Sequence, residues 1–173
     1  MRRMIKNKYI SPIIVGFVAG VLLVVPVIKS LGCCLLIPIA AFFSLALDQK
    51  ANSDFSKLEI KKGVIFGLIT GLIAAFFGTF FDFLITLITH KNDLVLTFPK
   101  LVDAINQFPI DSITKEEIIE LLANVVENIS TNGFSLVYSF SLLANNVIIN
   151  SIFGILGGII GIQILNSRNK KFE

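Results

Sequence analysis

The most restrictive feature of this chain is a set of four long apolar stretches. They are residues 10–28, 31–47, 63–89 and 144–165. A bilayer core about 30 Å thick needs roughly 20 apolar residues in a helix. The composition agrees, with 54% hydrophobic and 16% charged residues, whereas soluble domains average about 45–50% and about 25%. We therefore expect an all-α fold, a single integral membrane domain over 1–173 built as a bundle of four transmembrane helices.

Lysine and arginine residues are distributed unevenly around these stretches. Eleven of the fifteen lie before the first stretch, between the second and third, or after the fourth. Segment 91–133 instead holds seven of the twelve acidic residues. Cytoplasmic loops are enriched in Lys and Arg, so we predict a multi-pass protein of the cell membrane with cytoplasmic N- and C-termini. Segment 91–133 is predicted to be extracytoplasmic.

The extracytoplasmic segment carries the pattern of an amphipathic helix. Thr114 followed by Glu117 is a capping box, which predicts that a helix starts there. Apolar residues then recur at helical spacing, and Gly133 is a typical stop. These residues are Ile118, Leu122, Val125 and Ile129. Such a helix lies on the outer membrane face or packs over the bundle, and binding of a partner protein is the alternative.

A second, weaker helix is predicted in the same segment, over residues 98–108. Pro99 stands at its start and Pro109 directly after it. Proline is tolerated in the first turn of a helix and is common just after its end.

Three of the four stretches contain two glycines four residues apart. The pairs are Gly16 and Gly20, Gly67 and Gly71, and Gly154 and Gly158. Lipid provides no hydrophobic drive between helices, so transmembrane helices associate through close backbone approach at small residues. This GxxxG pattern, typical of a glycine zipper, predicts helix packing inside one bundle. Glycine faces that join separate subunits are the alternative.

The chain resembles small bacterial inner-membrane proteins of unknown function with four helices. The resemblance rests on adjacent Cys33 and Cys34 early in the second stretch, the glycine patterns and the long segment before the last stretch. It implies that architecture and no activity. The cysteines are expected to pack as small apolar side chains, with lipidation or redox chemistry as alternatives.

Asp82 is the one charged residue inside a predicted span, and a carboxylate in hydrocarbon costs at least a few kcal/mol. At about 1.5 Å rise per residue, Asp82 and Asn146 lie at the same depth, about 28 Å from the predicted cytoplasmic ends of their helices. Asn145, Asn146 and Asn150 are therefore candidate donors to Asp82. The favoured interpretation is an interfacial aspartate that snorkels or makes one structural hydrogen bond. The alternative is a candidate ion or polar site formed by these four residues.

Other kinds of chemistry have little support in the sequence. One histidine and two cysteines are too few for an ordinary metal site, and no nucleophile triad or paired catalytic carboxylates can be assembled from the spans. A net charge of +3 is too small for nucleic-acid binding. We expect no enzyme activity, no catalytic residue, no cofactor, no metal and no nucleic-acid partner.

Two functions remain open. The first is a small packing or accessory protein whose partners are the lipid bilayer and either a second copy or other membrane subunits. The second is an oligomeric minimal channel or transporter that uses Asp82 with Asn145, Asn146 and Asn150. The spans contain few polar residues below Asp82, which favours the first function.

Overall fold

The computed structural model describes residues 9–25, 28–29 and 32–169, without the side chains of Cys33 and Asn169. Within these ranges all regular secondary structure is helical, which confirms the predicted all-α class. The α-helices are α1 (Ile10–Leu22), α2 (Ile37–Asn52), α3 (Ile60–Thr89), α4 (Asp93–Gln107), α5 (Ser112–Asn132) and α6 (Leu136–Asn169), and a π-helical turn at Gly32–Leu36 precedes α2.

Three of these helical segments are long and apolar enough to cross a membrane. They are Cys34–Asn52, Ile60–Thr89 and Leu136–Arg168. This finding supports a membrane protein with transmembrane helices. The last segment is longer than predicted, because the residues before 144 continue the helix back to Leu136.

The first apolar stretch forms a shorter helix than the predicted 10–28. Helix α1 has 13 residues, which is about 20 Å of helix and less than a bilayer core. The N–H groups of Val24 and Val25 bond to carbonyls three residues back, so the chain tightens after Leu22. The sequence explains why α1 ends at Leu22. Pro26 has no N–H to donate to the Leu22 carbonyl, and the proline ring would clash with that carbonyl in an α-helix. Pro26 itself lies outside the described residues.

A proline also shapes the second stretch. The α-helical part begins at Ile37, so that Pro38 stands in the first turn of α2 rather than inside the helix. The five residues before it, Gly32–Leu36, wind as a π-helical turn. A proline ring clashes with the carbonyl four residues back in an α-helix, and the wider π-turn relieves such a clash.

The described residues divide into two compact units. Unit 1 comprises residues up to Thr79 and from Leu143 onward, and unit 2 comprises Phe80–Leu142. Helices α3 and α6 each contribute one part to each unit. In unit 1, apolar side chains from α1, α2, α3 and α6 form a shared core, in which Ala19, Ile37, Ala40 and Ala74 are buried and Phe153 packs against them.

Unit 2 contains α4 and α5, which pack against each other. Asn92 caps α4 by accepting a hydrogen bond from the Val95 N–H at 2.9 Å. Helix α4 therefore starts at Asp93, five residues before the predicted start, and the prediction that Pro99 opens the helix is wrong. Pro99 lies inside α4 and leaves the Val95 carbonyl without its usual helical donor.

The predicted capping residue of α5 is also wrong. Asp111, not Thr114, is the N-cap, because its carboxylate accepts hydrogen bonds from the Thr114 N–H at 2.8 Å and from the Thr114 hydroxyl at 2.7 Å. Aspartate is at least as good an N-cap as threonine, and this cap places Thr114 inside the first turn. The predicted stop at Gly133 is confirmed: this glycine ends α5 with a left-handed φ of 69°.

Candidate functional site

The four residues of the predicted polar site fall in different units. Asp82 lies on the unit 2 part of α3 and is half-buried, and its backbone carbonyl accepts a hydrogen bond from the Thr86 hydroxyl at 2.8 Å. The three asparagines lie on the unit 1 part of α6. The grouping of Asp82 with these asparagines therefore stays a prediction.

Within unit 1 the asparagines have different surroundings. Asn146 donates its amide to the Thr79 hydroxyl at 2.9 Å and so joins α6 to α3. Asn150 is only 3% exposed, and its Nδ2 has no hydrogen-bond partner among the described residues. Asn145 is exposed. Asn146 therefore links α6 to α3, whereas Asn150 is buried in the interior of unit 1.

The predicted packing glycines lie where helices of unit 1 cross most closely. Along the contact of α3 with α6, Gly67 lies against the Gly154 backbone and Gly71 against the Asn150 backbone. Gly158 likewise lies against the Gly63 carbonyl. As the residue number rises on α3 it falls on α6, so the two helices run antiparallel. We call this contact the glycine seam.

The first glycine pair makes a second contact of this kind. A Cβ atom at Gly16 would lie 2.8 Å from the Thr70 carbonyl oxygen, and one at Gly20 would lie 3.0 Å from the Ala74 carbonyl oxygen. Helix α1 therefore approaches α3 through both glycines. All six predicted glycines contact neighbouring helices of the same chain.

Helices α4 and α5 of unit 2 bury few of their side chains. None of the fifteen residues of α4, all of which the structure describes, is buried, and α5 buries only Val125 and Ile129. Leu96 on α4 is 67% exposed and Leu121 on α5 is 57% exposed. Neither helix belongs to a candidate membrane span. Contiguous exposed apolar surface marks interaction sites in proteins, so the exposed apolar side chains of α4 and α5 form a candidate interaction surface.

One part of that surface is a groove between α5 and the start of α6, with a volume of about 340 Å³. We call it the α5 groove. Leu121 and Val125 of α5 and Val137 of α6 supply its apolar lining, and Glu117 and Glu120 supply two carboxylates. The remaining lining residues are polar: Asn124, Asn128 and Ser135.

The end of α5, beside the groove, is held by several contacts within unit 2. A Cβ at Gly133 would lie 2.7 Å from the Leu87 carbonyl oxygen, so α5 ends tightly against α3. The His90 ring nitrogen Nδ1 lies 3.2 Å from the Ser130 carbonyl oxygen. The Phe83 and Phe134 rings meet edge to face, with centroids 5.5 Å apart.

The charge around the groove is strongly negative. Segment 91–133 carries three lysines and seven carboxylates, a net charge of −4. One of the lysines, Lys115, donates to the Asn106 carbonyl at 2.9 Å, which holds it at the turn between α4 and α5. Hydrogen bonds from the Thr114 hydroxyl and N–H lower the pKa of Asp111 below its ordinary value. The Asp111 carboxylate therefore stays ionised throughout the neutral pH range.

Comparisons with protein families, with curated proteins and with solved structures find no match to this chain. Among the described residues, no three His, Cys, Asp or Glu side chains come together as a metal site would require.

The α5 groove was not predicted from the sequence. The apolar stripe of α5 and its acidic residues were visible, but the groove also needs Ser135 and Val137 from the next helix. One signal could have indicated it, since Glu117, Glu120 and Leu121 share a face of one helix at helical spacing.

Proposed function

We propose that this chain is a multi-pass protein of the cell membrane that acts as an accessory subunit and binds a partner protein through the α5 groove. In this proposal α1 crosses the membrane together with the apolar residues that follow it in the first stretch, and it forms a four-helix membrane bundle with α2, α3 and α6. Both termini are cytoplasmic, and α4 and α5 lie outside. The proposal rests on one observation: an exposed apolar groove whose charged lining residues are both carboxylates.

The acidic charge favours a protein partner over the membrane surface. Amphipathic helices that lie on membranes have polar faces rich in Lys and Arg, and anionic lipids attract basic segments by about 1 kcal/mol per residue. A segment with a net charge of −4 gains no such attraction. We therefore expect its exposed apolar side chains to be covered by a protein and not by the membrane surface.

The same charge favours a different protein over a second copy. A two-fold symmetric contact brings the same patch of both copies together, so Glu117 and Glu120 would face their own counterparts. Like charges across an interface disfavour binding. The partner that fits presents a basic, amphipathic segment, whose apolar side chains contact Leu121 and Val137 while its basic side chains pair with the glutamates.

The absence of tryptophan from the sequence allows a direct test of whether α5 lies in lipid. In proteoliposomes, the single tryptophan of Leu121→Trp should be quenched by acrylamide and not by brominated lipid. Phe76→Trp is the control, because Phe76 is 56% exposed in the middle of the apolar helix α3 and should be quenched by brominated lipid. Equal quenching of both tryptophans by brominated lipid would show that α5 lies in the membrane and would refute the proposal.

Partner binding is tested by photo-crosslinking in intact cells from a benzoylphenylalanine at Leu121. The expected product is a discrete heteromeric adduct, which Glu117→Lys with Glu120→Lys should abolish. Asp103→Lys with Glu127→Lys is the matched control, since it makes the same change in net charge at exposed residues of α4 and α5 that do not line the groove. An adduct of two copies of the chain, or equal adduct yield in both double variants, would contradict the proposal.

A further inference from the structure

A second pocket, separate from the α5 groove, lies in unit 1 where α3 begins. Its volume is about 350 Å³. Lys57 and Lys61 supply positive charge to its lining, and Tyr9, Ile65 and Phe66 supply an apolar wall. A lining that combines lysine ammonium groups with apolar and aromatic side chains suits an amphiphilic ligand that carries a negatively charged group.

Its lysines differ in what they already bind. Lys62 pairs with the Asp48 carboxylate at 2.6 Å, and its ammonium lies 5.4 Å from the centre of the Phe66 ring. Asp48 is only 8% exposed, so Lys62 serves to neutralise a buried carboxylate. Lys57 and Lys61 are exposed, and neither forms an ion pair within the described part of the chain. Their two charges are available to a ligand.

The backbone that carries Lys57 is held in place. The side chain of Asn166 accepts a hydrogen bond from the Leu58 N–H at 2.8 Å and donates one to the Leu58 carbonyl at 3.0 Å. The Leu58 side chain is buried in a cluster with Leu45 and Phe66. The segment before α3 is therefore fixed to both α2 and α6, and Lys57 has a defined position beside the pocket.

The position of the pocket along α3 suits a lipid headgroup. The candidate membrane span of α3 begins at Ile60, so in the proposed topology Lys57 and Lys61 lie near the level of lipid phosphates. An aromatic side chain such as that of Tyr9 is typical of this interface. Basic pockets at the cytoplasmic ends of transmembrane helices bind lipid headgroups, and this end is the predicted cytoplasmic one.

Two carboxylates, Asp54 and Glu59, also line the pocket. They keep its net charge small, which suits the single negative charge of a phosphodiester better than a multiply charged free phosphate. We propose that this pocket binds the headgroup of a glycerophospholipid. Lys57 and Lys61 pair with the phosphodiester, and Tyr9, Ile65 and Phe66 contact the first carbons of the acyl chains.

Native mass spectrometry of the full-length protein in a neutral detergent tests this proposal with added phosphatidylglycerol. Lys57→Gln with Lys61→Gln should weaken lipid binding about 30-fold, because each lysine contributes about 1 kcal/mol to the attraction of an anionic lipid and about 1.4 kcal/mol is a tenfold change in affinity. Lys91→Gln with Lys100→Gln is the matched control at two exposed lysines of unit 2 and should leave binding unchanged. Equal binding by both double variants would overturn the proposal.

The nature of the ligand is tested on the unaltered protein. Phosphatidylglycerol should protect Lys57 and Lys61 from acetylation, as read by mass spectrometry of the digested protein, and diacylglycerol should not. This measurement does not depend on whether a variant folds. Equal protection by diacylglycerol, or displacement of the lipid by millimolar inorganic phosphate, would contradict a site for a phospholipid headgroup.

Discussion

The glycine seam between α3 and α6 makes a sharp prediction, because α3 also contains a glycine with space around it. A Cβ atom at Gly67 would overlap the Gly154 carbonyl oxygen and lie 2.7 Å from its carbon. A Cβ atom at Gly78 would meet nothing closer than the Leu23 side chain at 3.4 Å. The substitutions Gly67→Ala and Gly78→Ala are therefore chemically identical changes on one helix with different steric consequences.

The expected difference in the free energy of unfolding follows from two terms. Replacing glycine by alanine inside a helix favours the helix by about 1 kcal/mol at both positions. Carbon atoms pack at about 3.5 Å or more, so at Gly67 the contact with the Gly154 carbonyl carbon alone requires the helices to separate by about 0.8 Å, and the closer carbonyl oxygen requires more. Such overpacking costs about 1–3 kcal/mol. Gly78→Ala should therefore be about 1 kcal/mol more stable than the unaltered protein, and Gly67→Ala about 1–3 kcal/mol less stable than Gly78→Ala.

Reversible unfolding in mixed detergent micelles, followed by circular dichroism, measures both free energies. Gly78→Ala controls for the helix-propensity term and for any effect on the denatured state. If Gly67→Ala is as stable as Gly78→Ala, the two helices do not meet at Gly67, and the packing described for unit 1 is wrong.

Three further predictions concern unit 2. Gly133→Ala should destabilise the end of α5 by about 1–2 kcal/mol, because the φ of Gly133 is left-handed. Hydrogen exchange of residues 125–133 should become faster in this variant, and unchanged exchange would refute the prediction. The lowered pKa of Asp111 means that its capping contribution is complete above the ordinary pKa of about 4 and is lost as the pH falls through the lower folded value. Amide exchange at the start of α5 should therefore become faster at acid pH in the unaltered protein but not in Asp111→Asn, since asparagine caps without titrating. The same acceleration in both proteins would contradict the prediction. Asp82→Leu should leave the melting temperature in detergent unchanged or higher, because a desolvated charge is costly, and proteoliposomes should show no proton- or cation-dependent flux that this change removes. A proton- or cation-dependent flux that is lost in Asp82→Leu would show instead that Asp82 takes part in transport.

The local features of the fold were largely predictable from the sequence. Apolar length alone indicated helices able to cross a membrane, and the three long ones are present. The left-handed end of α5 followed from Gly133. These features depend on residues adjacent in sequence, so composition and periodicity are sufficient to predict them.

The errors arose where two local signals competed. Both Asp111 and Thr114 can cap a helix, and only the geometry shows that the Asp111 carboxylate accepts both hydrogen bonds from Thr114. The first stretch was apolar as far as residue 28, but α1 ends at Leu22, four residues before a proline. Apolar composition is not enough to continue an α-helix when the residue four positions ahead is a proline, which has no N–H to donate.

The sites could not be predicted because each depends on contacts between different helices. The α5 groove needs Val137 of the next helix beside Leu121. The pocket lined by Lys57 and Lys61 depends on Asn166, 108 residues after Leu58, to fix the segment before α3. A sequence pattern gives each side chain its place on a helix face but not the neighbour that this face meets.

In the proposed topology, α4 and α5 lie on the opposite side of the membrane from the basic loop between α2 and α3. The most direct measurement uses a protein with Cys33→Ser and Cys34→Ser, to which one exposed cysteine is added by Thr97→Cys or Ala51→Cys. In intact cells, a membrane-impermeant maleimide should label Thr97→Cys and should label Ala51→Cys only after the membrane is permeabilised. Labelling of Ala51→Cys but not of Thr97→Cys in intact cells would invert the topology and remove the basis of the proposed function.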